Sequence, residues 1–139
     1  MNQPAMNQPA MNQLSVMEPA PLLCEPISRT TLALFAGASG DHNPIHIDLD
    51  VARSAGLDDV FAQGMLSMAY LARCVTEWAP QHQLRSLTTR FVAITPLHAR
   101  PTCTGVVRSV EDDVATLDLA VTLDDGTLTL TGTATVALA

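Results

Sequence analysis

The chain has 139 residues, 47% of them hydrophobic, which suits one domain with a real core and leaves little room for a second. Its 14 acidic residues outnumber 7 basic ones, for a net charge of −7, and so acidic a chain repels a phosphate backbone, which argues against nucleic-acid partners. Every basic residue is an arginine, so chemistry that needs an ε-amine is excluded: Schiff bases, pyridoxal phosphate attachment and a Walker-type phosphate lysine.

Residues 1–13 repeat a Met-Asn-Gln-Pro-Ala unit that buries nothing, and residues 1–17 are expected to form a disordered low-complexity tail ahead of a folded domain over 18–139. No basic residue precedes Arg29, as a secretory signal would require. No apolar run reaches the roughly 18–20 residues of a membrane span. Cys24, Cys74 and Cys103 stand far apart with no Cys-x-x-Cys pair and read as small core residues of a reducing compartment. A cytoplasmic protein with no membrane partner is expected.

A Pro-punctuated stretch over 18–27 suggests a first strand, and Ser28 is placed to N-cap a helix over 30–38 that Gly37 and Gly40 end. The following loop, Ser39 to Asp48, contains Pro44, which forbids a regular helix and pushes Asn43 extended. Asp48 or Asp50 is expected to cap a short helix over 51–55, stopped by Gly56. The helix over 64–79 is apolar almost all round in its first turns, which predicts burial on most sides. Met65, Met68 and Tyr70 are read as its core contacts, and Arg73 and Glu77 form an i,i+4 pair on its late polar face. Four strands follow, over 86–94, 101–110, 114–123 and 127–138, with turn signals at 111–113 and 124–126. Helices first and an antiparallel meander after make an α+β domain, a sheet curled round one long helix. About five strands leave open edges, so a homodimer is the expected assembly.

The chemical interest concentrates between Asp41 and Asp48. Asp41 and His46 flank a proline-stiffened loop, so a carboxylate and an imidazole can aim at one water and move its proton. Asn43 is placed to brace that loop through neighbouring backbone. His42 and His46 would share a face only in a helix, which Pro44 prevents, so no metal site is expected. Ser39 misses the Gly-x-Ser-x-Gly elbow by one position and is no nucleophile. His82 and His98 read as surface loop residues, and Arg90 and Arg100 as solvated strand residues. Gly64 opens the long helix, where backbone N–H groups lack intrahelical acceptors and suit a developing oxyanion. An acid/base pair with an oxyanion donor is what addition to, or elimination from, an activated carbonyl requires.

The motifs Ser39-Gly40-Asp41-His42-Asn43-Pro44-Ile45-His46 and Ala62-Gln63-Gly64-Met65-Leu66 resemble the MaoC-like (R)-specific enoyl-CoA hydratases, also called hydratase 2, from about Ile27 to the C-terminus. The resemblance implies a hot-dog fold, a long central helix wrapped by an antiparallel sheet and paired in a dimer. It implies Asp41 and His46 as the catalytic pair, Gly64 N–H on the thioester carbonyl, and Asn43 as loop support. Gln63, Met65 and Ser67 are further candidates for contact with substrate. The implied reaction is reversible syn addition of water to a trans-2-enoyl thioester of coenzyme A or acyl carrier protein, with no cofactor beyond the substrate. Two departures stand out: Gln63 replaces a histidine common in the family, and the segment from Arg90 to Arg100 lacks the family's Gly-Asp turn. A hot-dog thioesterase and a non-catalytic partner subunit are the alternative readings.

Overall fold

The structure, a computed structural model, describes residues 17–138, so the repeat over 1–13 and most of the expected tail lie outside the described residues. Met17 already belongs to the fold, since Trp78 Nε1 donates to its carbonyl at 2.6 Å. In chain order the elements are β1 (Leu22–Leu23), α1 (Arg29–Ser39), a 3₁₀ turn (Pro44–His46), α2 (Leu49–Ser54), α3 (Gly64–Trp78), a second 3₁₀ turn (Gln81–Gln83), β2 (Leu84–Phe91), β3 (Thr102–Glu111), β4 (Val114–Thr122) and β5 (Leu128–Ala137).

Local chemistry sets the helix ends. Ser28 Oγ accepts from Thr31 N at the start of α1, and Gly40 closes it at φ 79, a left-handed conformation that glycine adopts without penalty. Asp48 caps α2 by accepting from Asp50 N and Val51 N, so that helix begins at Leu49, ahead of the expected 51–55. Pro44 does not abolish helical turns altogether: it occupies the first position of a single 3₁₀ turn, where its missing N–H costs nothing.

All five strands pair antiparallel in the order β1-β3-β4-β5-β2. A simple meander over the last four strands is therefore corrected. Only β3-β4-β5 is a meander, and β2 crosses to the far edge beside β5. The link 92–101 is longer than a hairpin loop and pairs elsewhere, through a Phe61–Pro96 bridge and an Ala62 N–H donated to Thr95 O at 2.9 Å. The strand expected over 86–94 ends at Phe91 because Val92 N and Ala93 N both turn to Thr129 O. The β3–β4 connection places Asp112 and Asp113 at φ 51 and 60, the pairing of positive angles that a type I′ hairpin needs. The first strand shrinks to two residues because the prolines around it cannot donate to a ladder.

Leu71, Cys74 and Val75 of α3 pack on Cys103, Leu117, Leu119, Val121, Leu130 and Val136 of the sheet, one continuous buried layer. A second apolar cluster, Ile27, Leu32, Ala52, Val60, Ala62, Leu66 and Leu97, ties α1 and α2 to the start of α3 and underlies the site. Burial of α3 on most sides is not what the packing gives. Gly64, Met65, Ala69 and Arg73 form an exposed stripe, because the sheet covers one side and α1 leaves a groove beside β2. Among the described residues no helix is long and apolar enough to cross a membrane.

Candidate active site

The loop leaving α1 is fixed atom by atom. Ser39 Oγ donates to Phe35 O at 2.6 Å and accepts from Asp41 N at 3.2 Å. Asp41 Oδ1 accepts from Asn43 N at 3.3 Å, and Asn43 Oδ1 accepts from Ile45 N at 3.2 Å. These successive Asx-type bonds occupy one oxygen of Asp41 with the loop itself. The other oxygen faces His46: Asp41 Oδ2 and His46 Nε2 are 3.8 Å apart.

His46 is buried, 8% exposed, and stands edge-on to the Phe61 ring with centroids 4.8 Å apart. Its Nδ1 lies 2.8 Å from the Phe61 carbonyl. A carbonyl only accepts, so Nδ1 carries the hydrogen, and Nε2 is the ring nitrogen turned toward Asp41. At 3.8 Å the two groups are just too far for a direct hydrogen bond and well placed to share a small hydrogen-bonding molecule. His42 is exposed and makes no part of this arrangement, and among the described residues no cluster could hold a metal ion.

Gly64, the first residue of α3, has no intrahelical acceptor for its N–H. No side chain caps this end of α3; Leu66 N donates to Gln63 O at 3.1 Å, and the Gly64 N–H is left uncovered. A side chain at Gly64 would crowd the Phe91 ring, because a Cβ there would sit 3.1 Å from Phe91 Cε1. Met65, expected in the core, is instead 52% exposed. It lines an apolar groove of about 440 Å³ with Phe35, Asp41, Met68, Ala69 and Leu87. A second cavity, of about 320 Å³, opens on the other side of the same helix end between Phe61, Gly64, Ser67, Phe91, Thr95 and Leu130.

Gln63, a candidate for contact with substrate, lines neither of these cavities. It is fully buried, 0% exposed, and turned to α1, where its Nε2 donates to Leu32 O at 2.9 Å. Among the described residues its Oε1 has no partner. Sequence reasoning missed Thr95, because residue 95 fell just beyond a predicted strand. It also missed the role of the Phe61 carbonyl, which only the folded loop brings to His46. In the segment that lacks the family's Gly-Asp, His98 takes a left-handed conformation at φ 69.

A family model for the MaoC-like domain, of the dehydratase type, matches residues 15–120. The chain belongs to the MaoC-like family. Among solved structures it is similar to an (R)-hydratase from A. caviae involved in PHA biosynthesis, at 22% identity and a TM-score of 0.79 over 90% of this chain and 98% of that one. It is similar to the R-hydratase PhaJ1 from Pseudomonas aeruginosa at 24% identity and a TM-score of 0.78, over 86% and 78% of the two chains. The ChsH1-ChsH2 complex from Mycobacterium tuberculosis gives 22% identity and a TM-score of 0.79 over 88% and 96%. No curated protein sequence matches the chain. The α+β sheet with its long helix in this MaoC-like chain is the hot-dog fold.

Proposed function

We propose that this MaoC-like domain adds water reversibly across the double bond of a trans-2-enoyl thioester, giving a (3R)-3-hydroxyacyl thioester. The observation that carries the reading is the pair Asp41 Oδ2 and His46 Nε2, 3.8 Å apart, with Asp41 on the rim of an apolar groove that runs along α3 from Met65. A water between them donates to both acceptors. One group takes its proton as oxygen bonds to C3, and the pair returns a proton to C2, so hydrogen and hydroxyl are both accounted for. The Gly64 N–H receives the charge that accumulates on the thioester oxygen, where one lost donor costs on the order of 3–4 kcal/mol. Asn43 holds the loop, and Met65 and Ala69 offer apolar surface to the acyl chain.

The carrier is coenzyme A or an acyl carrier protein, and no cofactor takes part. The open ladder edges of β1 and β2 support a homodimer, since pairing two copies hides edges that otherwise invite aggregation. Asp41→Asn and His46→Ala test the reading: each loses at least about a hundredfold in hydration rate while circular dichroism stays native. Hydration at the wild-type rate by either variant would falsify the assignment. Release of free thiol in place of hydration favours the thioesterase reading.

A further inference from the structure

The segment Phe61-Ala62-Gln63-Gly64 meets every part of the candidate site. The Phe61 carbonyl holds His46 Nδ1 at 2.8 Å, Ala62 N donates to Thr95 O at 2.9 Å, and Gly64 opens α3. Gln63 is fully buried, and its Nε2 donates to Leu32 O at 2.9 Å, within α1. The Leu32 carbonyl only accepts, so the amide nitrogen has to face it and Oε1 faces elsewhere. Among the described residues Oε1 has no partner. A buried carbonyl without a donor is costly, and an apolar side chain of the same length would remove that cost. What the amide supplies and such a side chain lacks is the bond to α1.

That bond joins two halves of the site. α1 ends in the loop that carries Asp41, since Ser39 Oγ donates to Phe35 O and accepts from Asp41 N. Gln63 immediately precedes Gly64, whose N–H is the oxyanion donor of the proposed reaction. α1 is otherwise seated on this region by the apolar cluster of Leu32, Ala62 and Leu66 and by the exposed Arg29–Asp59 pair. Apolar packing is non-directional and an exposed ion pair is weak, whereas a buried hydrogen bond fixes one register. We propose that Gln63 is a positioning residue: its tie to Leu32 sets where Asp41 stands relative to the Gly64 N–H, as the Phe61 carbonyl does for His46. The inference rests on the hydratase reading for the roles of Asp41 and Gly64.

The test compares wild type with Gln63→Met, which keeps the length and loses the donor, and Gln63→His, which keeps an N–H at similar reach. Melting temperature is measured beside kcat and KM on crotonyl-CoA. Gln63→Met is expected to melt at or above wild type, because the orphan carbonyl goes with the amide. Its kcat is nevertheless expected to fall roughly tenfold or more, with KM within about twofold. Gln63→His is expected to recover kcat to within about threefold of wild type. An unchanged kcat in Gln63→Met overturns the proposal, as does a Gln63→His no faster than Gln63→Met. Unfolding of Gln63→Met makes the side chain purely structural and overturns it too. A measurement without turnover separates this inference from the hydratase reading. In isotope-labelled protein the Asp41 and Asn43 amide signals, beyond the far end of α1, are expected to shift in Gln63→Met and return in Gln63→His. Those shifts in a protein whose wild type hydrates no enoyl thioester would sink the hydratase reading and keep the tie. Signals that stay in place would overturn the tie, whatever the rates.

Discussion

Asp41 divides its two oxygens between structure and chemistry. Oδ1 accepts from Asn43 N and holds the loop, while Oδ2 is left for whatever stands between it and His46. His46 is divided in the same way, with Nδ1–H spent on the Phe61 carbonyl and Nε2 free. Such anchoring lets two side chains keep their geometry without touching each other, and misplacement by about 1 Å can cost roughly a hundredfold in rate. Asn43→Ala is expected to weaken turnover less than Asp41→Asn, because it loosens the loop and leaves both reacting groups in place; kcat/KM measured side by side checks the order. Gly64→Ala is expected to cost roughly ten- to hundredfold in kcat/KM. Its Cβ would meet the Phe91 ring at 3.1 Å, and the half-exposed ring gives way across the cavity while the fold persists. Melting temperatures near wild type together with reduced turnover would bear this out, and full activity would contradict it.

At the scale of elements, the site depends on where α3 begins and on what holds β2 beside it. Gly132 on β5 faces β2 so closely that a Cβ there would sit 2.8 Å from the Thr88 carbonyl, backbone that cannot swing aside. Gly132→Ala is therefore expected to destabilise the domain by at least about 1 kcal/mol, read from urea unfolding. Because Phe91 ends β2 and lies against Gly64, activity falls with it. Several elements were legible in the residues alone. Ser28, Gly40 and Asp48 announce helix ends by chemistry that acts within three residues, and the Asp41–His46 loop is a local sequence whose proline and Asx residues set its shape. The partners of β2, the open stripe on α3 and the burial of Gln63 were not legible. Each is decided by contacts between segments tens of residues apart, such as Gln63 with Leu32 and Thr88 with Thr133. Periodicity reports that α3 is apolar and says nothing of which side the sheet leaves open.

For the molecule as a whole, burial governs the thiols. Desolvation pushes Cys24, Cys74 and Cys103 above the ordinary thiol range, and it raises the Tyr70 hydroxyl as well. The folded chain then keeps protons that the unfolded chain releases, so stability is full below the ordinary thiol value near about pH 8.5 and is lost as pH climbs above it. Urea midpoints are expected to fall steadily between about pH 8 and pH 10.5, and a flat profile would contradict the burial of these groups. The proposal that Asp41 and His46 hydrate an enoyl thioester rests on the loop that sets Asp41 Oδ2 and His46 Nε2 3.8 Å apart on the rim of the α3 groove. The most direct measurement follows the ultraviolet absorbance of crotonyl-CoA with purified wild-type and Asp41→Asn protein, with free thiol titrated in the same samples. The account predicts loss of the enoyl absorbance with wild type, no thiol released, and a rate at least about a hundredfold lower with Asp41→Asn. Thiol release, or hydration by both proteins at the same rate, would contradict it.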